Sequence, residues 1–122
     1  MKFLKYWFPV FLYCCIIFGV SAVPAQELPT AVPFSDKAVH MFIYAVLAVL
    51  FARAVRHSSQ TKWSLMIWAL AVYFVAFYGI TDEFHQSFVS GRSSDLVDWA
   101  ADVVGGTIGA AVYLIWKSKK QS

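Results

Sequence analysis

The side chains able to do acid–base or ionic chemistry fall into three short clusters. They are Asp36, Lys37, His40 and Tyr44; then Tyr78, Asp82, Glu83, His85 and Gln86; then Arg92, Asp95, Asp98 and Asp102. Carboxylates and imidazoles can pass protons, and Lys and Arg can hold anionic groups. On that basis Asp82, Glu83, His40 and His85 are the candidates for catalysis. Lys37, Tyr44, Tyr78, Gln86, Arg92, Asp98 and Asp102 are the candidates for binding. Neither a Gly-x-Ser-x-Gly elbow, nor a Cys close to a His, nor a phosphate-cradling glycine loop is present, so nucleophilic catalysis has no signature here. His40, Asp82, His85 and Asp98 have donor types that suit zinc and related ions. No His-x-x-x-His or Cys-x-x-Cys spacing accompanies them, so no metal site is assigned and no cofactor is indicated.

These spacings acquire meaning on helices. Lys37, His40 and Tyr44 recur at three and four residues and share one helical face. Tyr78, Asp82, His85 and Gln86 form a stripe from which Glu83 is rotated away. Asp95, Asp98 and Asp102 form another, continued by Gly105 and Gly109. Ser35 and Ser94 are placed to cap the second and fourth helices. Blander readings exist for single members. Tyr44 and Tyr78 suit membrane-interface anchors, Asp95 and Asp98 suit a helix N-terminus, Glu83 suits a solvated rim, and lone histidines are often structural. The density of such groups in one region is what favours a site.

The helices that carry them belong in a bilayer. Of the 122 residues, 60% are hydrophobic and only 14% charged, well outside the range of a soluble domain. A membrane-crossing helix needs about 20 mostly apolar residues. Stretches of this kind run over residues 6–23, 39–55, 63–80 and 99–116, separated by Pro24, Pro29 and Pro33, by residues 57–61, and by residues 89–94 with Gly91. Tyr6, Trp7, Trp63, Trp99 and Trp116 sit at their ends, at the level where amphipathic rings collect. The expected fold is all-α: one membrane domain over residues 1–122, built as a bundle of four transmembrane helices. Cys14 and Cys15 lie within the first span and read as small buried hydrophobes.

Charge sorting orients the bundle. Lys2, Lys5, Arg53, Arg56, Lys62, Lys117, Lys119 and Lys120 share one side, leaving Lys37 and Arg92 with all seven acids on the other. Basic residues near short loops stay cytoplasmic, so both termini are expected inside. Clustered by loop in this way, the basic residues do not form the stripe that nucleic acid requires. Lys2, Lys5 and the small residues Val20, Ser21 and Ala22 also fit a cleaved signal peptide, although the apolar run is long for one. Cleavage would leave three spans.

Asp102 lies about two turns inside the fourth helix. A charged group at such depth is unfavourable by about 3 kcal/mol on insertion scales, so it must face protein or water. Its candidate partners are Tyr44, Tyr78 and Asp82. The Gly105-x-x-x-Gly109 spacing lets another helix come close. A modest extension of the third helix beyond Ile80 brings Asp82 level with Asp102, with His40 or Tyr44 completing the group. Two carboxylates in such a pocket should not ionise independently: at least one has a raised pKa or shares a proton or a cation. Helices two, three and four are therefore expected to converge on a polar pocket open to the outside.

The chain also resembles a known family. The series Asp36-Lys37-x-x-His40-Met41-x-x-Tyr44, Tyr78-x-x-x-Asp82-Glu83-x-x-Gln86-x-Phe88-x-x-x-Arg92 and Asp98-x-x-x-Asp102-x-x-Gly105-x-x-x-Gly109 is similar to that of VanZ-like proteins. Asp102 stands where that pattern more often has Asn, and Met41 where Phe is usual. The resemblance implies a multi-pass protein of the bacterial inner membrane, in a group named for teicoplanin resistance. It also implies partners at the cell envelope: membrane lipid, a lipid-linked cell-wall precursor or a glycopeptide.

Two functions follow as expectations. In one, the pocket binds or alters an envelope amphiphile; in the other, the polar cluster is a salt-bridged network that packs helices and serves interaction. Transport is disfavoured because polarity lies on one side only and no inverted repeat is evident. Reporter fusions test the orientation. Fusions at Ser122 should be active only in the cytoplasm, and fusions within residues 26–37 or 88–95 only outside; an externally active fusion at Ser122 overturns the charge argument.

Overall fold

The computed structural model describes residues 2–21, 36–58, 63–88 and 96–121. These form four helices: α1 (Lys2–Ser21), α2 (Asp36–Ser58), α3 (Ser64–Gln86) and α4 (Leu96–Gln121). The helices run past the apolar stretches because a helix satisfies its own backbone in water and lipid alike, while hydropathy marks only the lipid-facing part. Met41–Ser58, Ser64–His85 and Trp99–Lys120 are long and apolar enough to cross a membrane, and α1 carries a shorter apolar stretch, Leu4–Gly19. The six residues of α3 beyond Ile80 place Asp82, Glu83 and His85 on regular helix. That helix closes through Ser87, whose N–H reaches the Glu83 carbonyl at 3.1 Å and whose hydroxyl donates to the Phe84 carbonyl at 2.6 Å. The expected caps Ser35 and Ser94 lie outside the described residues.

The bundle is apolar outside and polar in places within. Phe42, Tyr73, Phe77, Ile80, Val112 and Ile115 are exposed, whereas Arg56, Asp82, Glu83 and Asp102 are buried. Water penalises such an exterior over so large an area, and lipid does not. Cys14 is half-buried and Cys15 is exposed, which corrects the expectation that both are buried: adjacent helical positions are turned about 100° apart, and on α1 that turn carries Cys15 to the outer side.

Small residues set the spacing between helices. The most extensive packing is between α2 and α4, where Gly105 and Gly109 lie against the backbone of Met41 and Ala45. A Cβ at either glycine would overlap a backbone carbonyl of α2, which cannot swing aside as a side chain can. Gly106, turned toward α3, is packed against Val75. Ala48, Ala52, Ala71 and Ala110 fill the interior with Leu47, Ile67 and Val75, the small-residue packing typical of helices in membranes.

Aromatic donors tie the helices across these seams. The Trp68 and Trp99 indoles donate to the carbonyls of Thr107 and Ala76 at 3.1 and 2.9 Å, joining α3 and α4 in both directions. The Tyr13 hydroxyl donates to the Ile43 carbonyl at 2.9 Å and fastens α1 to α2. Gly109→Ala should lower stability by about 1–3 kcal/mol, the usual range for overpacking. A Cβ at Gly19 meets nothing within 4 Å, so Gly19→Ala should be neutral or mildly stabilising. Thermal unfolding in detergent, followed by circular dichroism, checks the contrast; equal behaviour of the two variants contradicts it.

Candidate functional site

The polar cluster is built where α2, α3 and α4 meet. Tyr44 of α2 is 1% exposed and its hydroxyl donates to Asp82 Oδ2 at 3.0 Å. Asp102 of α4 is 0% exposed. Gly79 of α3 makes room for it: a Cβ on that glycine would stand 3.3 Å from Asp102 Oδ2 and 3.1 Å from Trp99 Cδ1. Both carboxylates act electrostatically on the Tyr44 hydroxyl. A phenol from α2 thus sits among two enclosed acids, one from each neighbouring helix. Tyr44 is too deeply enclosed to be a membrane-interface anchor.

Helical geometry explains why α3 can serve three neighbours. At about 100° per residue, Tyr78 and His85 fall on one edge of its buried arc, Asp82 and Val75 in the middle, and Gly79 and Glu83 on the other edge. The first edge meets α1: the Tyr78 hydroxyl donates to the Cys14 carbonyl at 2.6 Å, and the His85 ring stacks on Phe18 with centroids 4.1 Å apart. His85 Nδ1 is enclosed there with no hydrogen-bond partner. The other edge meets α4 through Gly79. Glu83 is buried at 6% exposure, which corrects its reading as a solvated rim charge turned away from the stripe. Gly79, one turn before Glu83 on the same edge, marks the true packing face; Tyr78, whose polarity suggested the face, points to α1 instead.

The structure therefore brings together Tyr44, Asp82 and Asp102, with Glu83 enclosed nearby on α3, and turns Tyr78 and His85 toward α1. Lys37, His40, Gln86 and Asp98 belong to the helices, but their side chains lie outside the described residues, as do Asp95 and Arg92 altogether. Among the described residues no three His, Cys, Asp or Glu side chains are arranged to hold a metal ion. The sequence reading missed the part of α1, whose Tyr13, Cys14 and Phe18 close the flank of α2 and α3. Tyr13 was the available signal, because a tyrosine in the middle of an apolar span needs a partner for its hydroxyl. It likewise missed Gly79 and Trp99, which shape the space around Asp102; a glycine inside a helix beside a Tyr and an Asp was the clue.

What this arrangement can do is limited by its enclosure. Buried acids are stable only when hydrogen-bonded or matched by a proton or cation, so the Tyr44–Asp82–Asp102 group can hold a proton, accept hydrogen bonds from a polar ligand, or lock three helices in register.

Comparison with known proteins places the chain among relatives. An uncharacterized protein of Schizosaccharomyces pombe is 29% identical over 96 residues, covering 79% of this chain. The chain spans 56% of the length of that relative. No solved structure matches it. The VanZ/LLP1 family pattern matches residues 6–117, from the first turns of α1 nearly to the end of α4. With nearly its whole length matched, the chain belongs to the VanZ/LLP1 family.

Proposed function

We propose that the protein is a cell-envelope membrane protein whose Tyr44–Asp82–Asp102 cluster, facing outward, binds or alters an envelope amphiphile. The observation that carries this reading is the complete burial of Asp102 beside Gly79, together with the Tyr44–Asp82 hydrogen bond. A membrane helix retains an internal acid at a stability cost, and such acids mark ligand or proton sites by default. Charge sorting supports an outward position, with both termini in the cytoplasm of a bacterial cell and the spans in its inner membrane. The amphiphile class is a lipid-linked cell-wall precursor or a glycopeptide, and the phenotype is resistance to teicoplanin-type drugs. Asp82 serves as the acid–base group, with Glu83, His40 and His85 as further proton carriers. Lys37, Tyr44, Tyr78, Gln86, Arg92, Asp98 and Asp102 are the residues assigned to binding, and residues 1–122 act as one domain.

A second reading rests on the same hydrogen bond, since Tyr44–Asp82 joins α2 to α3 and Tyr78–Cys14 joins α3 to α1. In it the polar groups hold the bundle together and present a surface to another membrane protein. Substitution separates the two. Expressed in a teicoplanin-susceptible host, the wild-type chain should raise the inhibitory concentration. Asp82→Asn and Asp82→Glu should return it to baseline with undiminished folded protein, an effect on turnover of about 100-fold or more if a proton transfer is lost. Asp102→Asn should be tolerated or stabilising, because Asn can hydrogen-bond without adding charge. Loss of resistance in step with loss of folded protein establishes the packing reading, and full resistance in Asp82→Asn removes the acid–base role.

Arg92 supplies a separate check. Assigned from the sequence to pair with Asp95 or Asp98 or to grip an anionic head group, it should not be replaceable by Lys, which lacks the forked contact to carboxylate or phosphate. Normal expression of Arg92→Lys with unchanged resistance contradicts the forked contact.

A further inference from the structure

A ligand reaches an enclosed site only where two helices part. Tyr44 and Asp102 are sealed from outside, and the seams around them are held in different ways. The seam of α2 and α4 is closed by backbone, since Gly105 and Gly109 lie against Met41 and Ala45. That of α3 and α4 is held by the Trp68 and Trp99 indoles and by Gly106 seated on Val75. α1 is fastened to α2 by Tyr13 on the Ile43 carbonyl, by the Trp7 indole on the Ser58 hydroxyl at 2.9 Å, and by Tyr6 stacked on His57 at 4.4 Å. Against α3, by contrast, α1 has the least extensive packing of any touching pair among the described residues. The contacts that close this seam are the Tyr78 hydroxyl on the Cys14 carbonyl and the Phe18 ring over His85.

Both contacts lie on a path to the acids. The Tyr78 ring is 6.3 Å from that of Tyr44, whose hydroxyl holds Asp82, so α1, Tyr78, Tyr44 and Asp82 follow one another inward. Phe18 remains 54% exposed while it covers His85, which makes the wall there one side chain thick. A Cβ on the neighbouring Gly19 meets nothing, so this end of α1 is loosely surrounded. Parting the seam breaks no helical hydrogen bond, because Tyr78 occupies only a spare lone pair of the Cys14 carbonyl. A phenol stripped of its partner in hydrocarbon is costly, so the Tyr78 hydroxyl leaves Cys14 only for another acceptor. His85 Nδ1, enclosed at the same seam with no hydrogen-bond partner, gains one in the same step. A head group with phosphate and hydroxyl oxygens serves both, while its apolar chain stays in the bilayer outside Phe18.

We propose, building on the amphiphile reading of the Tyr44–Asp82–Asp102 cluster, that the α1–α3 seam is its lateral door: α1 swings away from α3 on its α2 contacts, and Tyr78 and His85 take the head group of an amphiphile arriving from the bilayer. The full chain in phosphatidylcholine vesicles, at mildly acid pH, is treated with dicyclohexylcarbodiimide, which dissolves in the bilayer and modifies protonated carboxyls. Label on Asp82, Glu83 and Asp102 is followed by peptide mass spectrometry, with helix content checked by circular dichroism. Phe18→Ala should speed labelling about 3- to 10-fold, the effect of one lost ring contact. Tyr78→Phe should speed it about 2- to 10-fold, the effect of one lost neutral hydrogen bond; it removes a single oxygen, so it tests the door even if Phe18→Ala fails to fold. Trp68→Phe, which cuts a bond of the α3–α4 seam, should change the rate by about twofold at most, as expected for an independent site. A water-soluble carbodiimide should label every chain far more slowly. Wild-type rates in both Phe18→Ala and Tyr78→Phe overturn the door, as does Trp68→Phe labelling faster than either. Equal labelling by the water-soluble reagent places entry on the aqueous side and overturns it too, and so does the absence of label in every chain. Failure of the amphiphile reading shows separately, as full resistance in Asp82→Asn, and does not alter these rates.

Discussion

The close approach of α2 and α4 is the constraint on which the rest of the bundle depends. Gly105 and Gly109 put the backbone of α4 against that of Met41 and Ala45, and with α2 fixed there, Tyr44 faces inward toward the levels of Asp82 and Asp102. In a bilayer this contact cannot come from the hydrophobic effect, because lipid tails are as apolar as the helices. Shape must supply it. A glycine pair one turn apart gives a groove one backbone deep, and dispersion and weak polar contacts then act over its whole length.

Once that pair is set, α3 fills the remaining side and takes its orientation from two further glycine contacts. Gly106 accommodates Val75, and Gly79 accommodates Asp102 with Trp99. Trp68 and Trp99 then bond to carbonyls of the facing helix, using a lone pair that the helical hydrogen bond leaves free. Such bonds suit a membrane, since an indole N–H buried without a partner is costly in the absence of water. α1 joins last in this hierarchy, held by Tyr13 and Tyr78 to α2 and α3.

The two ends of the bundle differ in sign. One gathers enclosed acids around Tyr44, and the other gathers enclosed and rim cations around Tyr6 and Tyr113. In each case a phenol occupies the centre of a group of like charges. A tyrosine can donate to an anion or accept from a cation while remaining neutral, so it serves both ends without adding to the repulsion. The apolar middle of the bundle, with Leu47, Ala48, Ala71 and Val75, keeps the two groups apart.

Much of this was legible in the residues alone. Hydropathy and length locate the helices because the bilayer permits only closed backbone structures. The spacing of Gly105 and Gly109 announced a close helix contact, and the depth of Asp102 required a partner within the bundle. Three matters were decided only by tertiary structure. Glu83 is inside because Gly79, not Tyr78, marks the face of α3 that meets α4. Tyr78 and His85 turn to α1, a helix whose sequence carries no charged residue to advertise a role in its middle. Arg56 is enclosed although it lies near the end of α2. Periodicity says which residues share a face, but which neighbour that face meets depends on how helices distant in sequence fit together, and a single chain read in order does not contain that fit.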